Sequence, residues 1–173
     1  SLDYDKRDRK YMTTDGYRTI FSQTLPVISE VYAIANSYQV HNYHKFDNNM
    51  VSRVTVFGGA INSLANKDVR VSDRLNLPSS SLKGFERNKF GPVDNGDYVG
   101  GNYAASINFS TSLPMFFQSL DNTDMSYFID MGNVWGVDYS SSLNDSGKVR
   151  SSTGVSINWY TPIGPLNFSL AQA

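Results

Sequence analysis

From Lys148 to Tyr160 every second residue changes character. Val149, Ser151, Thr153, Val155, Ile157 and Trp159 fall on one parity, and Lys148, Arg150, Ser152, Gly154, Ser156 and Asn158 on the other. An apolar set repeating every two residues is gathered onto one face only by an extended strand, because a helix would scatter it around its circumference. The pattern returns along the chain. Tyr103, Ala105, Ile107 and Phe109 oppose Asn102, Ser106, Asn108 and Ser110 within 102–112; Tyr127, Ile129 and Met131 oppose Ser126, Asp130 and Gly132 within 124–135. Val54 and Val56 oppose Arg53 and Thr55 within 50–60, and Leu166, Phe168 and Leu170 oppose Asn167, Ser169 and Ala171. Noisier alternation predicts strands at 17–25 and 30–43, separated by Pro26-Val27-Ile28-Ser29, and the end of another at 2–10, before a turn at Thr13-Thr14-Asp15-Gly16.

This is an all-β chain of about eight antiparallel strands of roughly 9 to 13 residues, longer than the globular norm of about 5 to 6 and suited to tilted strands crossing a bilayer. The expected fold class is therefore an antiparallel transmembrane β-barrel. A soluble β-sandwich or lipocalin-like barrel also alternates and is the competing reading. Connection lengths favour the membrane barrel: Thr161-Pro162-Ile163-Gly164-Pro165 is a tight turn, whereas 136–147 is longer and 61–101 far longer. Tight turns at one end and long loops at the other are the habit of outer-membrane barrels. The chain has no run of 18 apolar residues, which excludes a transmembrane helix. A mean hydropathy of -0.36 does not exclude a barrel, since lipid-facing and lumen-facing residues cancel.

Composition narrows the chemistry. A net charge of -1 gives no electrostatic footprint for nucleic acid, and the absence of cysteine removes disulfide frameworks, cysteine zinc sites and thiol catalysis. His41 and His44 are the two histidines, and on a strand that spacing points them to opposite faces, so no metal site is expected. Asp94-Asn95-Gly96-Asp97 lacks the spacing of a calcium loop and reads as a turn. Asp3, Asp5 and Asp8, interleaved with Lys6, Arg7 and Arg9, read as a charged strand end. No serine sits in a Gly-x-Ser-x-Gly elbow, and no enzymatic activity is expected. Trp135, Trp159 and Tyr160 lie near strand ends, where they fit either a membrane-interface girdle or ordinary β packing; Trp159 shares its face with Val155 and Ile157, which favours the girdle.

Several motifs follow one another in order: Asp8-Arg9 with Asp15-Gly16, Leu82-Lys83-Gly84-Phe85, Gly91-Pro92, Gly100-Gly101-Asn102, Asp130-Met131-Gly132-Asn133-Val134-Trp135, Arg150-Ser151-Ser152-Thr153-Gly154, and Thr161-Pro162-Ile163-Gly164-Pro165-Leu166. Together they resemble the carboxyl-terminal barrel region of the BamA family of outer-membrane protein assembly factors, over nearly the whole chain. The resemblance implies a sixteen-stranded barrel of which residues 1–173 are the carboxyl-terminal half, about eight strands, not closed, with a long lumen loop at 61–101. The front half, the periplasmic POTRA domains and the closing strand are expected to be absent, so that the chain, which opens without a signal peptide, is a fragment. It also implies that Lys83, Gly84 and Phe85 take the positions of an inward-folded Arg-Gly-Phe motif, with Asp130 as barrel-wall partner and Gly91, Pro92, Gly100 and Gly101 at loop turns. Lys83 departs from the family's arginine, exchanging a planar fork for a point charge.

The implied function is the folding and insertion of other outer-membrane proteins by strand templating at a lateral seam, in the bacterial outer membrane, with no cofactor. Implied partners are unfolded outer-membrane protein clients, accessory lipoproteins and outer-membrane lipid, with no nucleic acid. A two-partner secretion pore exporting a protein substrate is the alternative, and a soluble ligand-binding barrel a more distant one.

Overall fold

Eight strands form one antiparallel sheet whose spatial order follows the chain: β1 (Leu2–Asp5), β2 (Gly16–Thr24), β3 (Ala33–Lys45), β4 (Val51–Ser63), β7 (Tyr103–Ser112), β8 (Thr123–Trp135), β9 (Arg150–Thr161) and β10 (Gly164–Gln172). Between β4 and β7 a separate hairpin pairs β5 (Val93–Asp94) with β6 (Asp97–Tyr98). The structure, a computed structural model, describes residues 1–26, 33–46, 49–64, 67–113, 122–139, 143 and 147–173. Residues 27–29 of the expected turn and 30–32 of the expected strand lie outside the described residues, as does much of 136–147.

The strands agree with the alternation, with two adjustments. The first strand ends at Asp5 rather than Lys10, because Arg7 turns back to hold the Asp5 carboxylate (Nε to Oδ1 2.9 Å, NH2 to Oδ2 2.6 Å) and Asp8 closes the turn on Thr14. The fourth strand continues to Ser63, so the long connection is 64–102. That connection carries short 3-10 turns at Val71–Asp73 and Ser79–Ser81 besides the β5–β6 hairpin, whose Asn95 and Gly96 both have positive φ (50° and 93°), the geometry of a two-residue Asn-Gly turn.

Register sorts the side chains into two faces. Val40, Val56, Ile107, Met131 and Ser151 form one cross-strand row, and His41, Thr55, Asn108, Asp130 and Ser152 the adjacent one. The first row and its alternates make an apolar face open to the surroundings: Val56 is 43% exposed, Ile107 49%, Phe168 56% and Leu170 76%. The opposite face carries polar and apolar side chains side by side and is buried where the described residues of segment 64–102 lie across it. Leu77, Leu82 and Phe90 of the segment pack with Ala104 and Val134 of the sheet, and Phe57, Leu75 and Phe85 flank them. Val69 packs against Ala33 and Ile61 nearby. Each such large side chain taken out of water stabilises the seated segment by about 1.5–3 kcal/mol. The core is therefore a layer between one sheet face and one loop.

Candidate functional site

At the centre of the inner face stands Asp130 of β8, fully buried, between its cross-strand partners Asn108 and Ser152. A sealed carboxylate must collect donors or lose its charge. Asp130 collects three: Lys83 Nζ donates to Oδ2 at 2.8 Å, the Lys83 backbone N–H to the same oxygen at 3.2 Å, and Asn108 Nδ2 to Oδ1 at 2.9 Å. The Lys83 ammonium also lies over the Phe128 ring, 4.1 Å from its centroid, where the negative face of the ring favours a cation. Lysine has no second prong to match the carboxylate, and here the backbone amide and Asn108 supply the remaining hydrogen bonds. Asn108 further donates to the Ser81 carbonyl at 2.7 Å, so one amide ties the wall to both the carboxylate and the segment.

Backbone shape makes this seating possible. Gly84 has φ +86°, and a Cβ there would meet the Ala171 Cβ of β10 at 2.9 Å. The turn after Lys83 therefore needs a residue that accepts the left-handed region and lacks a side chain. Phe85 turns onto Phe90, ring centroids 6.2 Å apart and nearly edge to face, and joins the apolar layer. Gly91 passes against Val134, and the Pro92 side chain is fully buried. Gly100 sits beside Leu75 and Arg74, and Gly101 lies so close to the Trp135 backbone that any Cβ would collide with its carbonyl. Leu75 and Gly101 exchange both backbone hydrogen bonds (2.8 and 3.1 Å), bringing the outgoing and returning limbs together.

The aromatic positions divide. Trp135 lies on the outer face, stacked on Tyr103 with centroids 5.9 Å apart, at the end from which the long connection leaves. Trp159 lies on the same face at the other end, opposite Thr123 and Leu166. Tyr160 does not join them. It has the inner parity and lines a cavity of about 490 Å³ with Arg53, Asp124 and Asn158, a correction to its expected place among membrane-interface aromatics. One residue further along a strand is the opposite face. His41 meets Thr55 on the inner face at 3.0 Å, whereas His44 on the outer parity packs edge-on against Phe46.

Sequence reasoning missed Asn108, Ser81 and Phe128 around Asp130, and Arg74 further up the segment. Asn108 was readable as inner parity, and its place opposite Asp130 depends on the register of β7 with β8. Arg74 carried no local signal, since its ion-pair partner is 64 residues away.

A family model described as the Omp85 superfamily domain matches residues 1–173. The outer membrane protein assembly factor BamA of Neorickettsia risticii is 26% identical over 178 residues, covering all of this chain and 24% of that protein. A SAM50-like protein of Schizosaccharomyces pombe is 34% identical over 125 residues, 66% of this chain and 26% of that one. The chain thus spans about a quarter of the length of these curated relatives. Among solved structures, BamA from Haemophilus ducreyi lacking POTRA domains 1-3 superposes with a TM-score of 0.84 at 26% identity, covering 98% of this chain and 37% of that one.

Proposed function

Because the chain belongs to the Omp85 superfamily, we propose that it forms the carboxyl-terminal half of the barrel domain of a bacterial outer-membrane β-barrel assembly factor, with segment 64–102 as its inward-folded lumen segment. The observation that carries this reading is the seating of Lys83 on the buried Asp130 from inside a sheet whose other face is apolar and exposed. A soluble domain would cover that face; a bilayer supplies the cover here. The Trp135–Tyr103 pair and Trp159 stand at opposite ends of the face, about 40 Å apart along the strands. At a barrel tilt of roughly 35–45° that is on the order of 30 Å of height, the span of a bilayer core between two aromatic girdles.

In this reading the work on clients uses backbone pairing at a seam rather than covalent chemistry, because an unpaired strand edge offers hydrogen bonds to an incoming strand with little demand on its sequence. The present residues supply wall and lumen segment, and the seated segment holds β7 and β8 in a fixed relation to β10. Unfolded outer-membrane proteins are the proposed clients, accessory lipoproteins the proposed partners, and outer-membrane lipid the solvent of the apolar face.

The test is complementation in the native host with the full-length protein. Lys83→Asp is expected to depress the folded, heat-modifiable forms of other outer-membrane barrels, and Lys83→Asp with Asp130→Lys to restore them in part. Normal barrel levels on depletion of the protein would sink the assembly reading. Loss of one secreted protein, with barrels unaffected, would replace it by the secretion-pore reading.

A further inference from the structure

Lys83 and Asp130 hold the tip of the lumen segment, and a second polar cluster holds its neck. The Arg74 guanidinium, with its side chain 1% exposed, lies 3.3 Å from Asp138 Oδ1. Arg74 Nε and NH2 both donate to the Val69 carbonyl (3.3 and 3.1 Å), and the Val69 N–H donates to Asp138 Oδ2 at 2.8 Å. The guanidinium carbon sits 4.5 Å from the centroid of the Tyr139 ring, and the Tyr139 hydroxyl donates to Asp94 Oδ2 at 3.0 Å. Val69 and Arg74 belong to the outgoing limb, Asp94 to the returning hairpin, and Asp138 and Tyr139 to the connection after β8. Two residues outside the segment therefore fasten both of its limbs where it enters the interior.

We propose that Arg74 is a positioning residue: with Asp138 and Tyr139 it clamps the neck of the lumen segment and thereby holds Lys83 over Asp130. Burial gives the clamp its strength. An arginine removed from water and offered a carboxylate, a carbonyl and an aromatic face is costly to release from all three, whereas an exposed pair would contribute little. Between the two anchors lie the Leu75–Gly101 exchange of hydrogen bonds and the apolar layer. Release of the neck then raises the population in which the tip is unseated.

The inference rests on the proposed role of segment 64–102 as a lumen segment, and its test reads seating rather than client assembly. Residues 1–173 contain no cysteine; in the full-length protein, with any cysteine outside them replaced by serine, Ser81→Cys, at a tip residue only 7% exposed, reports seating by its rate of labelling with a membrane-impermeant maleimide in its own membrane. Arg74→Glu is expected to speed labelling about tenfold, the factor that corresponds to about 1.4 kcal/mol of lost seating. Arg74→Glu with Asp138→Arg should return the rate to within about twofold of the parent, and Arg74→Lys should fall between. If Arg74→Glu fails to reach its heat-modifiable folded form, Asp138→Asn, which leaves the arginine in place, carries the same expectation. A parental labelling rate in the folded variant, or acceleration that the charge swap leaves untouched, overturns the clamp. Faster labelling with unimpaired client assembly keeps the clamp and counts against a need for the seated segment in assembly.

Discussion

The two faces of the sheet are built from alternate residues of the same strands and reverse the arrangement of a water-soluble protein. The outer face is apolar and open; the inner face is polar at its buried centre, where a carboxylate is fully enclosed. In a soluble sheet the enclosed face is apolar because packing against other apolar groups is what closes it. Here the polar centre of the face is closed by a segment that brings its own cation beside its apolar side chains. The enclosed charge must therefore be matched one donor at a time, whereas the outer face asks only for apolar character.

The comparison breaks most sharply at Lys83. Lys83→Met keeps the stem over Phe128 but leaves Asp130 charged and sealed, which is expected to cost about 3–5 kcal/mol, the penalty of stranding one member of a buried pair. Asp130→Asn should cost less, because the Lys83 side chain is 15% exposed and can turn its charge to water. Combining Lys83→Met with Asp130→Asn should recover much of the loss. Urea midpoints of the full-length protein in bilayers measure the cycle; equal penalties for the two single variants would mean that the carboxylate is not sealed in the working protein.

The outer face breaks more mildly and in a depth-dependent way. Ile107 is at the middle of β7, and Ile107→Arg is expected to cost about 2–4 kcal/mol if that face meets hydrocarbon. Thr111→Arg, on the same parity near the strand end, should cost about 0–1 kcal/mol, and Ser110→Arg, which points into the inner cavity, little more. A soluble protein would tolerate Ile107→Arg within about 0.5 kcal/mol, since the residue is half exposed. Tolerance at Ile107 would remove the bilayer from the argument.

This contrast also separates what could be read in the chain from what could not. The alternating runs around Ile107, Met131 and Ile157 carry strand and face together, because period 2 assigns both at once. Eight strands in chain order are legible for that reason, whereas Lys83-Gly84-Phe85 stands out only through its family resemblance. The Asn108 bridge and the Arg74 clamp are not legible, because each depends on contacts that register and a long loop create across tens of residues. Tyr160 shows the limit of position without register: one residue from Trp159 in the chain, it belongs to the other face.

The smallest expected effect lies outside both faces, in the turn between β1 and β2. Asp8 accepts from the Thr14 hydroxyl at 2.6 Å and from the Thr14 and Asp15 N–H groups at 3.0 and 3.2 Å. The Thr14 hydroxyl above all, with those amides and the Arg9 guanidinium assisting, holds the Asp8 carboxyl well below the usual carboxylate range. A carboxyl depressed in the folded state adds stability that is complete above the unfolded value, about 3.9, and is lost as pH falls through the lower folded one. Asp8→Asn should therefore lower the melting temperature slightly at pH 7 and flatten its acid dependence below about pH 4. It should leave tip labelling through Ser81→Cys unchanged. A change in that labelling would tie this turn to the inner face, where the structure places no contact between Asp8 and Lys83 or Asp130.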